Sequence, residues 1–168
     1  ADNVAPALLG GFILVRSYDP LDILKLPIPE NLLSINVLPD YIVNTREARA
    51  ILPKDIALTS AIKQSGNLSG FIIGLYEKDF ALMGRSMVDL FAEPFRSDLI
   101  PGYDSMRQSA MDSGAIGCGI SGSGPSVFAL SDSLNKANII GKAMVSSFKK
   151  SGLESKLFIS PVNTFPPK

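Results

Sequence analysis

The apolar positions of this chain fall into short runs of two different periods, punctuated by glycine and proline. Residues 2–9 read as a short helix ended by Gly10 and Gly11, since paired glycines suit a helix C-cap. Residues 12–15 are a strand candidate, and residues 32–38 alternate as LLSINVL to give another, stopped by Pro39 and Asp40. Thr45 is the predicted N-cap of a helix running through Arg49 to Leu52 and closed by Pro53. Residues 55–83 carry helical spacing, with a predicted interruption at Ser65, Gly66 and Asn67 that divides them into two helices. Leu68, Phe71, Ile72, Leu75 and Tyr76 form an apolar stripe there, and the spacing assigns it to core packing.

Turns are predicted at Pro94 and at Pro101–Gly102, followed by a helix over 103–112. Residues 115–120 and 126–130 read as two strands joined by a glycine-serine turn. A long helix over 133–149 and a last strand over 156–160 complete the pattern, with 161–168 as a tail or edge extension. Helices, then a strand pair, a helix and a strand, predict an α+β fold: an antiparallel sheet covered by helices on one face. The regular strand–helix alternation of a doubly wound sheet is not present.

Composition narrows the classes. At 168 residues the chain fits one domain or a large piece of a two-domain protein. It is 46% hydrophobic and 19% charged, which supports a core and argues against disorder. Sixteen basic residues balance sixteen acidic ones, so bulk charge gives no nucleic-acid footprint. There is no histidine, which excludes histidine triads, histidine-ligated zinc and a histidine general base within this segment. The lone Cys118 cannot form an internal disulfide, and a reduced, cytoplasmic setting is expected. No apolar run reaches the roughly 18 residues of a membrane-spanning helix. The opening residues lack the basic start of a signal peptide and read as a helix already under way, so the true N-terminus is expected upstream.

The strongest chemical signal is GAIGCGISGSGPSVFAL, residues 114–130. Gly117, Gly119 and Gly122 satisfy GxGxxG, but a strand follows them instead of the helix that a dinucleotide fingerprint requires. A Walker A loop would need Gly-Lys-Ser/Thr, and a GxSxG elbow fits neither Ser121 nor Ser123. What remains is a loop in which Gly122 and Gly124 free the backbone for close approach, while Ser121, Ser123 and Ser126 add hydroxyl donors. A tight hairpin needed only for packing is the alternative.

This segment resembles the third motif of the GHMP kinases, a loop that lies beside the nucleotide phosphates and helps close the active site. The resemblance assigns Ser121, Gly122, Ser123 and Gly124 to that role. Three further stretches resemble the homoserine kinase family among them. DNVAP…GG at 2–11 places Asn3, with Asp2 beside it, at the amino-acid substrate. TREARAILP at 45–53 and EPFR at 93–96 place Arg49 and Arg96 on the substrate carboxylate. The chemistry agrees, because a guanidinium is a planar fork suited to bidentate carboxylate binding. Arg46 lies three residues before Arg49 on the same helix face, and only the motif separates the two.

The resemblance implies a ferredoxin-like C-terminal domain over residues 41–168, with residues 1–40 ending an N-terminal domain or supplying linking strands. The family's phosphate-binding P-x-x-x-G-L-G-S-S-A-like loop is not in the chain, so this segment alone is expected to be inactive. It further implies phosphoryl transfer from ATP to the hydroxyl of L-homoserine, in threonine biosynthesis. ATP and Mg²⁺ are expected mainly on the other half, and a homodimer is a further expectation. No catalytic base and no metal ligand is assigned within this segment. The competing readings are another GHMP kinase, such as a mevalonate kinase, and a noncatalytic amino-acid-binding regulatory domain.

Overall fold

The computed structural model describes residues 4–163. Asp2 and Asn3 lie outside the described residues. A short helix α1 (Val4–Leu9) leads into a hairpin of β1 (Phe12–Tyr18) and β2 (Leu21–Leu26). The second strand of that hairpin is not among the predicted elements, although Asp19–Pro20 between the two apolar runs is a turn dipeptide.

The main sheet begins at β3 (Leu33–Pro39). A helical excursion follows: α2 (Thr45–Ala50), α3 (Leu58–Glu77), α4 (Phe80–Ser86), the single turn α5 (Glu93–Arg96) and a 3₁₀ turn (Ser97–Leu99). Then come α6 (Tyr103–Asp112), β4 (Gly117–Ile120), β5 (Val127–Ser131), α7 (Leu134–Lys150) and β6 (Ser155–Pro161). The strand order is β4-β5-β3-β6 and every pairing is antiparallel. With α6 and α7 as its two crossover helices this is the β-α-β-β-α-β ferredoxin-like arrangement that the resemblance implies. The expected division at residue 40 falls at the end of β3, whose partners β5 and β6 lie beyond it.

Period-two alternation decides which face is covered. Leu33, Ile35 and Val37 of β3, Val127 and Ala129 of β5, and Cys118 of β4 all point to one side. There they meet Met106 and Ala110 of α6 and Ala137, Ile140, Met144 and Phe148 of α7. The intervening residues face the other way. Leu130, with Phe128 beside it, packs against Leu32, against Leu75 and Met83 of α3 and α4, and against Phe12 and Leu26 of the hairpin. The second face is thus partly covered too, an addition to the one-face picture read from sequence.

The predicted interruption of the long helix is not where the glycines suggest. α3 runs unbroken through Ser65, Gly66 and Asn67, with the hydroxyls of Ser65 and Ser69 donating to the carbonyls four residues back. The break comes at Lys78, in the left-handed conformation at φ 58°, and Asp79 caps α4 by accepting from the Leu82 amide at 2.8 Å. Gly74 serves the crossing of α3 and α4, since a Cβ there would stand 2.7 Å from Met83 Cγ. The apolar stripe is only partly core: Leu75 is fully buried, while Leu68 and Tyr76 are exposed. Pro94, read as a turn, sits in the first turn of α5, where its missing N–H costs nothing.

Candidate active-site surface

The glycine-rich loop is the turn of the β4–β5 hairpin. The Ser121 amide donates to the Ser126 carbonyl at 2.8 Å, and the Gly124 amide donates to the Ser121 carbonyl at 3.1 Å. Gly122 (φ 62°) and Gly124 (φ 81°) both occupy the left-handed region, where a side chain would be strained. Their surroundings differ. Gly122 has open space where a Cβ would stand, whereas a Cβ on Gly124 would lie 2.8 Å from Ile100 Cδ1. The loop is therefore packed on one side and open on the other. Its amides at Gly122 and Ser123 have no partner among the described residues. Unpaired backbone donors beside serine hydroxyls suit an anion such as a phosphate oxygen.

Arg96 joins this loop to α2. Its Nη1 donates to the Gly122 carbonyl at 2.8 Å, and its Nε donates to the Ala48 carbonyl at 3.1 Å. Ala48 is the one buried residue of α2, and Arg49 follows it directly, exposed to solvent. Arg49 has no side-chain partner among the described residues. The N-cap of α2 is Asn44 and not Thr45: the Asn44 side chain accepts from the Arg46 amide at 2.9 Å. Three stretches singled out separately in the sequence thus meet through one guanidinium.

Behind α5 lies a second group of polar residues that the sequence reading passed over. Glu93 Oε1 pairs with Arg107 Nε at 3.2 Å. Asp89 holds the turn before Glu93, accepting from the amides of Phe91 (2.7 Å), Ala92 (2.9 Å) and Glu93 (3.1 Å). Burial raises the Glu93 carboxyl above its ordinary 4.5, while the Tyr103 hydroxyl and the Arg107 guanidinium pull it part of the way back. The Tyr103 hydroxyl faces that carboxylate without completing a hydrogen bond of normal geometry, and burial pushes its own pKa far up. Cys118 nearby is a free, buried thiol pushed up to about 12, first by desolvation, which is a filler and not a nucleophile.

Glu93, Asp89, Gln64, Ser86 and Cys118 line a cavity of about 370 Å³ whose other walls are mostly apolar, among them Phe71 and Phe128. The sequence signal for this group is the glutamate of EPFR, which the resemblance leaves without a role beside its arginine.

A raised carboxyl makes a testable statement about stability. Between the unfolded value near 4.5 and the higher folded one, the native chain binds more protons than the unfolded chain, so stability falls as pH rises through that window. In Glu93→Gln that fall is removed. Urea midpoints of the two proteins are expected to diverge in favour of the variant as pH goes from 4 to 7; a gap that stays constant would mean that the ion pair with Arg107 balances the desolvation, and one that moves the other way would place it above.

Residues 71–150 match the family described as GHMP kinases C terminal. Over those residues the chain carries the C-terminal domain of the GHMP kinases. Among its relatives within that class are homoserine kinases. That of Chlorobaculum tepidum is 48% identical over 164 residues, covering 96% of this chain and 51% of that protein. That of Arabidopsis thaliana is 39% identical over 155 residues, covering 90% and 42%. The crystal structure of homoserine kinase from Cytophaga hutchinsonii matches with a TM-score of 0.98 at 54% identity, over 100% of this chain and 53% of that one. The chain spans about half the length of the curated relatives it matches.

Proposed function

We propose that this chain is the acceptor-binding half of an enzyme that transfers the γ-phosphoryl group of ATP to the hydroxyl of L-homoserine, giving O-phospho-L-homoserine. The observation that carries the reading is the meeting at Arg96, which links the loop carbonyl of Gly122 to the backbone beside Arg49. A cationic surface adjoining an open, donor-rich loop suits a carboxylate at one end of a small acceptor and a phosphate at the other. The similarity to homoserine kinases favours an amino acid among such acceptors. Asp2 and Asn3 would add contacts to its amino end.

ATP, when bound, supplies the transferred phosphoryl group. Such transfer asks the protein for positioning and charge stabilisation more than for covalent chemistry. The loop fits a share in that: its free N–H groups and the Ser121 and Ser123 hydroxyls can meet phosphate oxygens, and Gly122 admits close approach. For Mg²⁺ the fit is absent, since the described residues hold no group of three or more acidic, histidine or cysteine side chains that could bind a metal. We assign the metal, the main phosphate loop and any general base to the remainder of the protein, and this half alone should not turn over. A reduced cytoplasmic setting agrees with the single buried thiol. No described helix is long and apolar enough to cross a membrane.

The test is ADP release by the full-length protein with L-homoserine, mevalonate and galactose offered in parallel. Turnover selective for homoserine is the expected result. Turnover selective for mevalonate would reassign the acceptor. Binding of the amino acid with no turnover of any alcohol would leave a regulatory binding domain in place of the kinase.

A further inference from the structure

The loop is held at two points by one short segment. At residue 96, the guanidinium donates to the Gly122 carbonyl; at residue 100, the 2% exposed Ile100 fills the space against Gly124. The first contact is polar and exposed, the second apolar and tight. Ser123 stands between them, with its amide and hydroxyl free for a ligand. On its other side the same guanidinium is fixed by the Ala48 carbonyl. A guanidinium has five N–H donors in one plane, and two carbonyls leave three of them for an anion. Because the group is planar and rigid, an anion that aligns those donors also aligns the pair that grips Gly122 and Ala48.

We propose that Arg96 is a positioning residue that couples the acceptor to the glycine-rich loop: the acceptor's carboxylate on its outward N–H groups fixes the guanidinium plane and, through the Gly122 carbonyl, sets the loop for the phosphate. The proposal rests on the kinase reading for what the loop is set for, while the mechanical link itself rests only on the two hydrogen bonds and the Ile100 contact. It separates two arginines that the motifs treat alike. Arg49, exposed and without a side-chain partner among the described residues, serves affinity; Arg96 serves affinity and geometry together.

The experiment is hydrogen exchange at the Ser121 and Gly124 amides of the full-length protein, with and without L-homoserine, alongside steady-state kinetics of Arg96→Ala, Arg96→Lys and Arg49→Ala. In the native protein, homoserine is expected to slow exchange at these two amides. In Arg96→Ala they should exchange about tenfold faster and no longer respond to homoserine, as a local opening with little protection. The value of kcat should fall by about 100-fold, the loss expected when a reacting group is displaced by about an ångström. Amides of α7 should be unchanged. Lysine keeps the charge but cannot grip two carbonyls, so Arg96→Lys should recover KM for homoserine more than kcat. Arg49→Ala should raise KM with the loop still protected.

Loop exchange in Arg96→Ala that matches the native protein and still responds to homoserine, with only KM raised, would overturn the coupling and leave Arg96 a ligand. Loss of protection in α7 as well would show that the alanine variant unfolds, and the lysine variant then decides by the same split between KM and kcat. A loop loosened in Arg96→Ala, in a protein that phosphorylates no alcohol, would sustain the mechanical link and reject the kinase reading.

Discussion

Arg49→Ala in the full-length protein is expected to raise KM for L-homoserine by about 10- to 150-fold while the fold keeps its stability. A hydrogen bond to a charged group contributes about 1.5–3 kcal/mol, which at about 1.4 kcal/mol per decade gives that range. The side chain is exposed on a six-residue helix and has no partner among the described residues, so its removal breaks nothing in the free protein. Surface substitutions of that kind usually change stability by no more than about 0.5 kcal/mol. Steady-state kinetics paired with a urea titration make the check. Arg49→Lys should sit between the two, since an ammonium keeps the charge and loses the fork. An unchanged KM in Arg49→Ala would move the acceptor's carboxylate to another cation, with Arg46 one turn away the first to examine.

Phe148→Ala is expected to cost about 3–5 kcal/mol of unfolding free energy, the range for removing a buried aromatic ring. Phe148 is fully buried on α7 and heads the fully buried side chains by volume. It faces the cluster that α6, α7 and the sheet share. Its carbonyl also accepts the Leu153 amide at 2.9 Å, in the turn that leads toward β6. Against a total of about 5–15 kcal/mol for a domain, the loss removes much of the margin. Denaturant titration should show a lower midpoint with an unchanged slope. A shift under about 1 kcal/mol would mean that Met144 and Met106 close over the space, as flexible thioethers can.

The sheet and its two crossover helices were legible because burial imposes period two on LLSINVL and helical spacing on residues 134–150. The glycines of α3 were misleading. Ser65, Gly66 and Asn67 read as an interruption from sequence, but the helix breaks where a residue takes the left-handed conformation, and that residue is Lys78. What makes glycine necessary at 70 and 74 is the nearness of Ser86 and Met83, a fact of packing that no local pattern carries. At the site, the motifs gave Arg49, Arg96 and residues 121–124 their roles one at a time. They could not give the bridge between Ala48 and Gly122, because its acceptors are main-chain carbonyls, and every residue has one. Glu93 was overlooked for a related reason: its raised pKa comes from burial, which depends on where α5 lands.

The place of β3 in the sheet has a bearing on how the protein is made. It is an inner strand, yet Leu33 pairs with Ser131 on one side and Pro161 on the other, both far along the chain. At a synthesis rate of about 5–20 residues per second, this apolar strand waits on the order of ten seconds after it is made before its second neighbour exists. Through that interval its row of amides and carbonyls is open to any other extended chain. The helices α3 and α4 are complete in the meantime and can shield Leu32 beside it, but Ile35 and Val37 gain their cover only when α7 arrives. Production of this protein at high expression levels should therefore be limited by aggregation of the nascent chain, and slowing translation or lowering the temperature of growth should recover more of it in native form.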